Sequence, residues 1–320
     1  ERGSAGQSGK GLSIKDSPFP ASAAGPGRPG LRIRDVRLPE WIILSFFAYL
    51  AFISPWFTER PKLQYRALEL LVGVAAIIAV MVALQRTKIS REMDHIRDWI
   101  PMGLTLAAFQ SMELFIPAHF THHYEQIWVN WDQTLLGAWG LRHAIVSLGW
   151  LIPGYLELCY LLVYGVGTYC LLLLYFVNHR RGIDAFYAVY LGGTLGAYAF
   201  FPFFPSQPPR LLFPQIDPPT IDTFLRNLNL WILRNGSIHS SVFPSAHVSS
   251  AFAAAWAMFL LMPSRKRYGW GLLIYATSVA LATIYGRYHY AADVIAGFAI
   301  SVAAAALFLL VRRKPTSAPQ

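Results

Sequence analysis

His289 and Asp293 stand four residues apart in the run Tyr285-Gly286-Arg287-Tyr288-His289-Tyr290-Ala291-Ala292-Asp293, which opens an apolar stretch. At a helix start that spacing puts both side chains on one face, a turn apart. A carboxylate there accepts the proton of one imidazole nitrogen, fixes the tautomer and leaves the other nitrogen free to attack. Arg287, two residues earlier, carries a guanidinium suited to clamping phosphate oxygens. A second segment, Phe243-Pro244-Ser245-Ala246-His247-Val248-Ser249, opens another apolar stretch, with Ser245 placed to cap the helix that His247 begins. Helix N-termini bind anions through free N–H groups and the dipole. A third segment, Ser206-Gln207-Pro208-Pro209-Arg210, adds another arginine. Two histidines, two arginines and a helix N-terminus suit a phosphoryl group passing through a covalent phosphohistidine. Taken singly, each segment has a plainer explanation, a hydrogen-bonded structural histidine or an interfacial arginine. Their joint presence is what favours catalysis.

The elements that must position these segments are helices in a membrane. Apolar types make up 55% of the 320 residues and charged types 14%, against about 45–50% and about 25% in a soluble domain. Mean hydropathy is +0.39. A soluble chain of this length does not hide so much apolar surface behind so few charges. Disorder of the whole chain, a collagen and a disulfide-stapled secreted scaffold are excluded on the same grounds. The expected fold is all-α, a polytopic transmembrane bundle of about eight helices at roughly 41–57, 67–84, 99–117, 153–177, 184–204, 247–262, 269–286 and 291–311. The third is the weakest of these, because it carries Gln110 and Glu113. Long connections, 118–152 and 205–246, interrupt an otherwise short-looped chain.

The distribution of the net charge of +10 matters more than its sum. Of 27 Lys and Arg, 19 fall in the segments on one side of the expected membrane and 8 on the other. The richer side is expected to be cytoplasmic, with both termini inside, although Arg60, Lys62 and Arg66 pull the other way. Both long loops and all three polar segments then lie on the non-cytoplasmic face, periplasmic in a bacterium or lumenal in a eukaryote. No basic run carries a reading motif, so no nucleic acid partner is expected. Residues 1–40, rich in Gly, Ser, Pro and Ala, read as a disordered basic cytoplasmic tail, followed by N-terminal transmembrane helices over 41–117. No apolar core of a cleavable signal peptide stands before Trp41, and the first residue is Glu1, so the natural N-terminus is expected further upstream. Cys159 and Cys170 share one apolar stretch and are expected to be free thiols packed as small hydrophobes.

Over about residues 130–311 the chain resembles the type 2 phosphatidic acid phosphatase (PAP2) superfamily, which shares its core with vanadium haloperoxidases. That family's motifs end in Arg-Pro, Pro-Ser-Gly-His and Ser-Arg…His-x-x-x-Asp. Here the second reads Pro244-Ser245-Ala246-His247 and the third ends His289-Tyr290-Ala291-Ala292-Asp293. The first departs: Phe203 stands where a lysine is expected, seven residues before Arg210, and the order is Pro-Pro-Arg. The third-motif arginine falls at Thr283, a loss for which Arg287 is a candidate replacement. With Asp132-Gln-Thr-Leu-Leu-Gly137 and Glu157 upstream, this variant is similar to the branch containing inositol phosphorylceramide synthases.

The resemblance implies a PAP2-like catalytic membrane domain over 118–314, a short tail over 315–320, and a lipid phosphatase or phosphotransferase. His289 would be the nucleophile, Asp293 its orienter, and His247 the acid that protonates the leaving alcohol and then the base that activates the incoming one. Arg210 and Arg287, with N–H groups near Ser245 and Ala246, would hold the phosphate. Neither metal nor other cofactor is required. Expected partners are a lipid phosphate, membrane lipids, and water or an alcohol such as inositol or ceramide as acceptor. Phosphatidic acid, a polyprenyl diphosphate, phosphatidylinositol and a sphingolipid relative all remain open as donors. Readings of another class are a transporter, which would gather polar groups at the midplane, and a non-catalytic lipid-binding protein.

Other residues carry weaker signals. His119, His122, His123 and Glu125 have spacings that suit zinc if helical, or line an interface. Trp128, Trp131 and Trp139 fit an aromatic belt. Glu157 either orients an active-site group or pairs within the bundle.

Overall fold

The computed structural model describes residues 35–57, 60, 62–87, 90–117, 121–236, 238 and 242–313. His119, most of the 1–40 tail and residues 315–320 lie outside the described residues.

Every stretch read as a span folds as helix. α1 (Leu38–Ile53), α2 (Leu63–Leu84) and α3 (Ser90–Ser111) come first. The first long connection folds into α4 (His123–Gln133) and α5 (Leu141–Val146). α6 (Leu151–Leu162) and α7 (Val166–Phe176) follow, joined by a single 3-10 turn. After α8 (Ile183–Tyr198), the second long connection holds α9 (Pro209–Leu212) and the amphipathic α10 (Phe224–Gly236). α11 (Ala246–Leu261), α12 (Arg267–Tyr285) and α13 (Ala291–Arg313) complete the chain.

Among the described residues, five helical stretches are long and apolar enough to cross a membrane: Leu38–Trp56, Leu63–Leu84, Leu151–Phe176, Arg267–Tyr285 and Ala291–Arg312. α8 and α11, at 16 residues each, fall short of the eight-span expectation. Both are mostly buried among other helices, so protein rather than lipid surrounds them and bilayer thickness constrains them less. α3 carries Arg97 and Asp98 because it serves an ionic clasp described below.

α11 runs through the middle of the bundle. Its Ala251, Ala253, Ala254, Ala255 and Ala257 are fully buried, and small side chains let neighbouring backbones approach closely. Ser249 Oγ donates to the Gly193 carbonyl of α8 at 2.8 Å across that contact. On the outside, Leu68, Val72, Ile77 and Val80 of α2 are exposed, an apolar surface that water would not tolerate at this density. Cys159 and Cys170 are buried free thiols.

At the end of the bundle where α8 begins, charges bind the N-terminal helices to the rest. Arg37 pairs with Asp98 at 2.7 Å and with Asp184. Arg180 joins Asp98 at 2.6 Å, and Arg97 holds Glu40 through two hydrogen bonds of 2.6 Å. The polar segments gather where α8 ends, the full length of that helix away.

Candidate active site

α12 ends at Tyr285, and the Thr283 carbonyl then accepts the N–H groups of Tyr288 (2.9 Å) and His289 (3.0 Å). The chain turns there with Arg287 at φ +61°, a left-handed conformation uncommon for a residue with a Cβ. Asp293, in the first turn of α13, accepts the Tyr290 N–H through Oδ2 at 2.9 Å. His289 Nδ1 lies 3.2 Å from that oxygen and 3.0 Å from the Val242 carbonyl. Two acceptors facing Nδ1 hold the proton there and leave the lone pair on Nε2. Burial, reinforced by nearby His247 and Arg210, keeps His289 well below the ordinary imidazole value, so the ring is neutral at pH 7.

The other two segments are tied to this one through backbone. Ser245 is the N-cap of α11, its Oγ accepting the Val248 N–H at 3.4 Å. Its own N–H donates to the Asp293 carbonyl at 2.9 Å. His247 consequently stands with its ring centroid 5.7 Å from that of His289, the planes at 86°. Tyr160 and Tyr164 meet His247 edge-on at 5.2 and 5.1 Å. Ser206 Oγ accepts the N–H groups of Val242 (3.3 Å) and Phe243 (3.2 Å). The Arg210 N–H donates to the Arg287 carbonyl at 3.1 Å. Each segment therefore fixes the other two.

Arg210 is the group with an unmet need. Its Nη1 lies 3.5 Å from the Tyr288 carbonyl, and its Cζ lies 5.6 Å from the Tyr288 ring centroid. Among the described residues no carboxylate pairs with it. Burial pulls its pKa below the ordinary guanidinium value, as removal of a cation from water must. A half-buried cation with no carboxylate beside it is stabilised when an anion joins it.

His247, His289 and Arg210 line a single cavity of about 770 Å³. Met102, Leu106 and Phe109 of α3 and Leu230 and Leu233 of α10 form an apolar wall of the same cavity. Ala246 also lines it, whereas Ser245 is fully buried in its capping role. Asp293 stands behind His289, away from the cavity.

Arg287 is placed differently from the expectation that it clamps phosphate. Its side chain is 2% exposed and does not line the cavity; Nη1 pairs with Asp132 Oδ2 at 2.5 Å. Asp132 Oδ1 accepts the Ala291 N–H at 2.8 Å, so the pair pins the start of α13. Thr283, at the position of the third-motif arginine, is fully buried.

Sequence reasoning missed Arg226. From α10 it lines the cavity, with Nη1 donating to Glu157 Oε1 at 3.1 Å and to the Gly286 carbonyl at 3.3 Å. The i,i+3 pair Arg226 and Asn229, beside Leu230 and Leu233 on an amphipathic segment, was the available signal. Glu157 turns out to do both things asked of it. It pairs with Arg226 and Asn229 (2.8 Å), and it accepts the hydroxyl of cavity-lining Tyr288 at 2.6 Å.

Two minor expectations change. Trp128 does not join an aromatic belt; it is buried, stacked on Phe243 at 4.9 Å, while Trp131 and Trp139 are exposed. Glu125 holds His122 at 3.1 Å and also accepts the Gln207 N–H at 3.2 Å. It thereby braces the loop that leads to Arg210. Among the described residues, no three His, Cys, Asp or Glu side chains are grouped to hold a metal ion.

A PA-phosphatase related-family protein of Dictyostelium discoideum is 35% identical over 60 residues, 19% of this chain. The chain spans only 10% of that relative's length. No solved structure matches. The profile of the PAP2 superfamily matches residues 126–307, more than half of the chain and the whole of the three-segment site. By that match this chain belongs to the PAP2 superfamily.

Proposed function

We propose that this protein is a membrane lipid phosphatase or phosphotransferase working through a phosphohistidine. One observation carries the reading above all. A half-buried guanidinium without a carboxylate among the described residues, Arg210, faces two histidines in a cavity whose other wall is apolar. An anion completes the first need and a lipid chain the second, and a lipid phosphate supplies both.

In the proposed reaction, His289 Nε2 attacks phosphorus and the bond to the lipid oxygen breaks. His247 gives that oxygen a proton. His247 then takes the proton of water or an alcohol as its oxygen attacks phosphorus, and the N–P bond breaks. Asp293 keeps the His289 tautomer and balances the charge that develops on the ring. Water as acceptor makes the protein a phosphatase. An alcohol such as inositol or ceramide makes it a transferase, the variant that the resemblance to inositol phosphorylceramide synthases supports.

The excess of Lys and Arg at the clasp end supports a non-cytoplasmic active site with both termini inside. Gln215, an exposed residue in the second long connection, tests that orientation. A cysteine there is expected to react with an impermeant label from outside, and labelling from the cytoplasm alone inverts the topology.

The reaction itself is tested by product analysis in detergent micelles, with labelled lipid phosphates given to wild type and His289→Ala, with and without inositol or ceramide. Free phosphate from wild type alone identifies a phosphatase, and a phosphorylated acceptor identifies a transferase. Wild-type turnover by His289→Ala refutes the nucleophile. Silence of the wild type across the panel returns the transporter and lipid-binding readings.

A further inference from the structure

We propose that Arg226, which belongs to none of the three motifs, is the second guanidinium of the phosphate subsite, with Glu157 as a counter-ion it partly gives up when the phosphate arrives. This inference rests on the phosphate reading above and adds a residue to it.

Arg226 Cζ lies 5.9 Å from the Tyr288 ring centroid, and Arg210 Cζ lies 5.6 Å from the same point. Tyr160 stacks on that ring at 3.9 Å with the planes at 14°, covering one face. Both guanidiniums stand beside that ring and line the same cavity. Arg226 is close enough to help lower the Arg210 pKa, and two such charges repel unless an anion lies within reach of both. Glu157 serves only one of them, and through a single nitrogen, Nη1. Among the described residues, Nε and Nη2 of Arg226 make no hydrogen bond, which leaves most of a planar fork for a ligand. The cation absent from the first motif, where exposed Phe203 stands, is in this way supplied from α10. Arg287 is not free for the task, being buried against Asp132.

The roles of Arg226 and Glu157 predict effects of opposite sign. The probe is dodecylphosphonate, a non-reacting lipid phosphate analogue, titrated in detergent micelles against wild type, Arg210→Gln, Arg226→Gln, Arg226→Lys and Glu157→Gln. Arg226→Gln is expected to weaken binding by about tenfold or more, the loss of a charge-assisted hydrogen bond. Arg226→Lys should recover part of it. Glu157→Gln keeps acceptor oxygen for Asn229 and Tyr288 but frees the Arg226 charge, so it should tighten binding. A merely structural role for the pair would weaken binding in both variants.

Binding by Arg226→Gln within about threefold of wild type overturns the inference, as does a Glu157→Gln loss equal to that of Arg226→Gln. If Glu157→Gln does not fold, the two Arg226 variants decide the matter. Loss of binding in Arg210→Gln but not in Arg226→Gln refutes this inference alone. A wild type that binds no phosphonate, or an Arg210→Gln that binds it normally, refutes the phosphate reading and this inference with it.

Discussion

Gly297 lies one helical turn beyond Asp293 on α13 and does not line the cavity, yet a single methyl there is predicted to cripple the proposed activity. A Cβ at this position would overlap the Ser245 carbonyl oxygen, with the Ser245 carbonyl carbon at 3.3 Å and the Ser249 nitrogen at 3.4 Å. The obstacle is backbone and cannot rotate away. Relief requires α13 to move about 1 Å from the start of α11, since carbon contacts are comfortable only near 3.5–4.0 Å. That motion stretches the Ser245 N–H to Asp293 carbonyl bond of 2.9 Å. It also separates the elements that carry His247 and His289, now 5.7 Å apart. A misplacement of about 1 Å costs on the order of 10²-fold in rate, and overpacking costs about 1–3 kcal/mol of stability. Gly297→Ala should therefore fold, with a lowered thermal midpoint, and lose about two orders of magnitude in kcat/KM on the lipid phosphate that wild type turns over. Gly73→Ala in α2, where a Cβ meets nothing within 4 Å, is the matched control and should keep full activity. Gly297→Ala activity within about threefold of wild type would refute the claim that this backbone contact sets the distance between the histidines.

Two further outcomes follow from the buried charges. Arg287→Met strands Asp132 without its cation, a loss of about 3–5 kcal/mol for a buried pair. Arg287→Met combined with Asp132→Leu should restore part of that stability in a detergent melt, and a double variant no better than the single one would contradict the pairing argument. Stability should also fall with acid because of His289. Its folded pKa lies below the ordinary 6.5, so the unfolded chain takes the proton first. The stabilisation is complete above that value and drains away as pH falls beneath it. His289→Asn should flatten this part of the melting-temperature profile, and an unchanged slope would mean that His289 is not held neutral by burial.

Much of the protein was legible in its sequence, for reasons that differ by feature. Apolar runs of near-bilayer length located all the principal helices, because a backbone in lipid must satisfy its own hydrogen bonds. The i,i+4 spacing of His289 and Asp293 brought the two together by helix geometry alone, and Ser245 capped α11 as its type and position dictate. These are local facts. Arg287 and Arg226 were decided by contacts between distant parts of the chain. Arg287 sits two residues from His289, but Asp132, 155 positions away, claims its guanidinium. Arg226 is 63 positions before His289, and it reaches the cavity because Glu157 and Asn229 dock α10 onto α6. Sequence separation carries no information about which buried carboxylate a cation will meet. Only packing does, because desolvated charges must find partners wherever the fold delivers them. Residue types and spacing determined the helices and the paired histidines; tertiary structure decided which arginines face the cavity.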